Sequence, residues 1–68
     1  MPEHLKNFLR EERARRNLTQ ADLATKIGVS RKTINTVENG VFIPSTVLAL
    51  KLARALDTTV EKLFHLVD

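Results

Sequence analysis

Arg31, Lys32, Asn35 and Thr36 put two cations and two hydrogen-bonding side chains within six consecutive positions of a 68-residue chain. A guanidinium donates two parallel N–H groups to the O6 and N7 of guanine, a carboxamide pairs with N6 and N7 of adenine, and a threonine methyl can touch the methyl of thymine. The set suits base edges and phosphates. Catalytic chemistry finds no comparable group. His4 and His65 have neither the H-x-x-x-H nor the H-E-x-x-H spacing of a metal site, and the chain has no cysteine. Ser30 and Ser45 read as helix caps, and there is no glycine-rich phosphate loop. No enzyme activity, metal, cofactor or small-molecule ligand is expected.

Positioning these side chains requires an element that turns them outward together. Thr19 to Asn39 read as two short helices joined by a tight turn. The first opens at Thr19, with Asp22 completing a Thr-x-x-Asp capping box and placing its charge at the positive helix end. Leu23, Ala24 and Ile27 share one face. Gly28 follows where a left-handed backbone is needed to close the helix, and Val29 packs into the angle between the helices. Ser30 caps the second helix, with Ile34 and Val37 at i, i+3 as its buried side. An amphipathic helix with a basic outer face is usually no more than a solvated surface. Here the turn argues otherwise, because a crossing joined so tightly leaves room only for a small side chain such as Ala24.

With these residues, the chain from about Leu5 to Leu66 resembles the minimal helix-turn-helix domain of the lambda-repressor and Cro-like transcriptional regulators. The matching positions are Gln20, Ala24, Gly28, Ile34 and Val37. The stretches Ser30-Arg31-Lys32-Thr33-Ile34-Asn35, Glu38-Asn39-Gly40 and Pro44-Ser45 also look like small stand-alone members of that family. The resemblance implies that the second helix lies in the major groove of double-stranded DNA, that Gln20 contacts a phosphate, and that Arg31, Lys32 and Thr36 face bases. Asn35, Ser30 and Arg16 are expected to serve as phosphate contacts beside Gln20. Val47 departs from the family, many of whose members carry a polar residue there.

Supporting helices surround the motif. Leu5, Phe8 and Leu9 form a stripe on a helix expected from about Glu3 to Arg16, with Leu18 following it into the core. Val41-Phe42-Ile43-Pro44 is an apolar loop, and its proline keeps the preceding residue out of the helical region. Ser45 caps a fourth helix with Ala49, Leu52, Ala53 and Leu56 inward. Thr58 to Glu61 reads as a capping box for a fifth, with Val60, Leu63, Phe64 and Val67 inward. The expected fold is therefore all-α, a compact five-helix lambda-repressor-like domain without strands, spanning residues 1–68 with the motif at about 19–39.

The formal net charge is +3, with eight basic residues against four acidic ones through Val37 and three against four thereafter. Positive charge thus accompanies the motif. Arg13, Arg15 and Arg16 cluster before Thr19, where they suit a negative helix end or a phosphate backbone equally well. The N-terminus lacks the pattern of a signal peptide and the longest apolar run is four residues, Val47 to Leu50, so a soluble cytoplasmic protein without membrane contact is expected. A chain this short buries only about 60% of its unfolded surface and leans on helix packing or association. Val41, Phe42, Ile43 and Leu66 exceed what the stripes can bury and are expected to form a homodimer interface, setting two reading helices one duplex turn apart on a palindromic operator. The expected function is a dimeric, sequence-specific repressor. A second reading, an antitoxin-like protein-interaction module with secondary DNA binding, would require a partner-binding extension, and the chain has almost nothing past its fifth helix.

Overall fold

The computed structural model describes residues 4–67. Their elements are β1 (His4–Asn7), α1 (Leu9–Arg15), α2 (Gln20–Ile27), α3 (Arg31–Glu38), α4 (Thr46–Ala55), α5 (Val60–Leu63) and β2 (Phe64–Val67). The five helices pack around Leu9, Leu23, Ile34, Leu52, Leu56 and Leu63, all sealed from solvent, with Ala24, Val37 and Ala53 filling the gaps. Leu18, Ile27, Val29 and Leu48 are half-buried against that core.

Side-chain oxygens start the helices. Thr19 accepts from the Asp22 N–H at 2.9 Å, while Asp22 accepts from the Thr19 N–H at 2.9 Å, closing the expected capping box. Ser30 accepts from Thr33 N–H and Ser45 from Leu48 N–H. α5 is capped one residue later than expected, by Thr59 accepting from Lys62 N–H. Each of α1 to α4 ends in one reversal. A residue one or two positions past the helix turns left-handed, at Asn17, Gly28, Gly40 and Asp57 with φ of 58°, 77°, 74° and 54°. In each case the next N–H reaches back to a carbonyl in the last turn: Leu18 to Arg13, Val29 to Ala24, Val41 to Thr36 and Thr58 to Ala53. This double-bonded reversal satisfies carbonyls that the helix itself leaves open.

The two ends depart from the expected all-α fold. In place of one helix from Glu3 to Arg16, residues 4–7 form β1 and α1 begins at Leu9; Glu3 itself lies outside the described residues. In place of a fifth helix reaching Val67, the chain extends after Leu63 as β2, which pairs antiparallel with β1 in the register Leu5 opposite Leu66 and Asn7 opposite Phe64. Val67 is about half exposed rather than inward. The cause is a set of bonds with no local signature. Phe8 N–H donates to Leu63 O at 2.8 Å, and Asn7 donates to Val37 O at 3.2 Å while accepting from Leu9 N–H. The Phe8 ring meets His65 edge-on, with centroids 5.0 Å apart. These contacts stop α1 from extending backward and hold β1 against β2.

Candidate nucleic-acid interface

α3 carries the outward set and α2 presents its N-terminus beside it. Ile34 and Val37 anchor α3 in the core, which turns Arg31, Lys32 and Asn35 to solvent. Among the described residues neither Arg31 nor Lys32 has a carboxylate partner, so both charges are available to an anion. Asn35 accepts from Asn39 through Oδ1 at 3.2 Å and keeps its own N–H groups exposed. Thr36 differs from the other three. It is half-buried, and its hydroxyl donates to Thr33 O at 3.0 Å, leaving the methyl as the group it can offer.

Gln20, the first residue of α2, is held from behind. Its Nε2 donates to Glu38 Oε1 at 3.0 Å, and Glu38 also accepts from Arg13 at 2.6 Å and stands 3.6 Å from Arg10. Arg13 further donates to Leu18 O at 2.7 Å. One carboxylate therefore locks α1, α2 and the end of α3 together. Burial pushes the Glu38 carboxyl up, but the Arg13 and Gln20 hydrogen bonds and the neighbouring guanidinium charge outweigh it and hold the group below the usual glutamate value. Asp22 is also lowered, because Thr19 donates to it through backbone and side chain.

The arginine cluster divides. Arg13 is spent on Glu38, whereas Arg15 and Arg16 pair with Glu12 at 3.1 and 2.6 Å. Arg16 thus reaches a phosphate only by sharing or leaving Glu12. Ser30 Oγ is engaged by its cap and by the Thr33 hydroxyl. Arg31 lines one flank of α3 together with Thr19 and Gln20, while Lys32 and Thr36 line the opposite flank with Val41 and Phe42. Sequence reasoning missed the Glu38 lock, since its partners lie 18, 25 and 28 positions away. The available signal was a carboxylate placed one residue beyond the buried Val37, at the edge of the apolar stripe.

This arrangement coincides with a known family. The helix-turn-helix family profile matches residues 9–63. The chain belongs to the helix-turn-helix family, of the lambda-repressor and Cro type. An HTH-type transcriptional regulator of Methanocaldococcus jannaschii is 48% identical over 60 residues, 88% of this chain and 91% of the relative. One from Bacillus subtilis is 39% identical over 62 residues, 91% of this chain and 94% of the relative. Among solved structures, the restriction-modification controller protein C.AhdI from Aeromonas hydrophila superposes with a TM-score of 0.75 at 41% identity, covering 79% of this chain and 82% of that one. These relatives are named as regulators or controllers. Among the described residues of this helix-turn-helix protein, no group of three His, Asp or Glu side chains is placed to hold a metal, and no helix is long and apolar enough to cross a membrane.

Proposed function

We propose that residues 1–68 act as one sequence-specific, double-stranded DNA-binding domain of a dimeric repressor. The observation that carries the reading is the outward Arg31 and Lys32, without a carboxylate partner among the described residues, on a helix whose neighbour, α2, is fixed beside it by the Glu38–Gln20 bond. α3 enters the major groove, Arg31 and Thr36 contribute to base choice, and Lys32 contacts either base or backbone. Gln20, Asn35, Ser30 and Arg16 position the protein on phosphates, which fix register without carrying sequence information. The regulatory relatives support DNA occupancy over a partner-binding module.

Dimerisation uses the apolar face at the closed end of the fold. Leu5, Ile43, Pro44, Leu50 and Phe64 line one cleft, and Leu66 lies opposite Leu5 across the sheet. Ile43, Val47, Leu50 and Leu66 are each more than half exposed, a density of apolar surface unusual for so small a body. Two copies joined there by a two-fold axis fit a palindromic operator with half-sites about 34 Å apart. Selection of bound sequences from random duplex DNA tests the reading, with an enriched palindrome expected. Arg31→Ala should then cost about 1–3 kcal/mol on the selected site and relax one base pair. Leu66→Asp should shift sedimentation at micromolar concentration from dimer to monomer and weaken operator binding. Absence of any enriched sequence overturns the DNA assignment; a parent that remains monomeric on a full operator overturns the dimer alone.

A further inference from the structure

The reversal that ends α3 does more than stop a helix. Gly40 N–H bonds Val37 O at 3.1 Å, while Val41 and Phe42 N–H both bond Thr36 O, at 3.0 and 3.2 Å. In such a reversal the residue after the left-handed position is brought back against the last turn of its own helix. Val41 and Phe42 are accordingly folded alongside α3, where they line a shallow concavity with Ser30, Lys32, Thr33 and Thr36. Val41 is 77% exposed and Phe42 46%. Val41 thus lines a surface that Ile43 does not reach. Ile43 faces Leu5, Leu50 and Phe64, and only Phe42 borders both surfaces.

The flanks of α3 consequently differ in chemistry. One is polar, with Gln20 and Arg31; the other sets an apolar wall beside a lysine and the methyl of Thr36. An ammonium group and the N-terminus of a helix at the rim favour a polyanion over another apolar protein surface, and the apolar group that double-stranded DNA displays in its major groove is the thymine methyl. We propose that Val41 and Phe42 form, with Thr36, a specificity-determining contact that reads thymine methyl groups at the edge of each half-site. The inference rests on the DNA-binding reading above and adds residues outside the recognition helix to the set that chooses sequence.

The test uses the full chain and the duplex enriched by selection. Each thymine is replaced in turn by deoxyuridine, which removes the methyl and preserves base pairing and O4. Binding of the parent should fall about fourfold at one or two positions, the value of one buried carbon group. Val41→Ser should bind the thymine and deoxyuridine duplexes alike at one of those positions, with discrimination elsewhere and the thermal midpoint unchanged. Phe42→Ala gives a second reading at the same edge. Four results overturn the proposal while leaving DNA binding intact: no position sensitive to deoxyuridine; equal sensitivity in parent and both variants; uniform weakening by Val41→Ser on both duplexes, which marks a sugar or backbone contact; or dissociation of the Val41→Ser dimer, which assigns the loop to the two-fold seam. Failure to select any sequence defeats the DNA-binding reading itself.

Discussion

The α2–α3 pair and the β1–β2 pair are held together by opposite means. Each helix of the first carries its own start and stop: a Thr19 or Ser30 oxygen at one end, a Gly28 or Gly40 reversal at the other, and a core residue every turn. Each strand of the second is four residues long and pairs only with the other, across almost the full described chain. Four-residue strands have little independent stability, so the sheet exists because the helices bring its halves within reach. The candidate interface is specified locally and then locked by Glu38. Structure that closes the fold is specified at a distance.

Removing the lock should produce the largest effect. Glu38 is sealed from solvent and faces Arg13, Arg10 and Gln20, so Glu38→Ala should cost about 3–5 kcal/mol, measured by urea denaturation. Acid should act in the same direction. The folded-state pKa of Glu38 lies below its ordinary 4.5, so its contribution is complete above that value and is lost as pH falls through the folded pKa. Stability of Glu38→Gln should therefore depend less on pH in the acid range than that of the parent.

The turn should come next. A Cβ at Gly28 would point into open space, so the left-handed φ of 77° is the main obstacle to Gly28→Val. We expect a loss of about 1–3 kcal/mol and weaker DNA binding as a result. An unchanged thermal midpoint would refute the strain. Asn17→Gly should have the smallest effect and the opposite sign. The φ of 58° at Asn17 suits glycine without a Cβ, so a gain of a few tenths of a kcal/mol is expected after the added unfolded-state entropy. A loss above about 1 kcal/mol would show that the Asn17 side chain contributes something besides backbone tolerance.

These differences explain which parts of the molecule could be read from residue order. Thr19, Ser30 and Ser45 declare helix starts within three positions of the N–H groups they cap, and Gly28 declares a stop, so the motif and α4 were legible. Leu5, Phe64 and Val67 also fall at spacings compatible with a helical stripe, and nothing near them announces a strand partner some sixty residues away. Asn17 and Asp57 were silent as helix stops because both residue types enter the left-handed region only occasionally. At the candidate interface, exposure of Arg31, Lys32 and Asn35 followed from the Ile34–Val37 stripe. The inward half-turn of Thr36, the Glu12 pairing of Arg16 and the split between Val41–Phe42 and Ile43 depend on contacts that no local pattern encodes.

The pairing of β1 with β2 also orders events in time. Bringing β1 to β2 closes a loop of roughly sixty residues, whereas α2 and α3 are joined by a turn of three. α2 and α3, whose caps and contacts lie close together in the chain, therefore face the smaller loop-closure cost. The α2–α3 pair can thus dock before the first strand finds its mate, and the slow, long-loop closure falls on the sheet, outside the candidate interface.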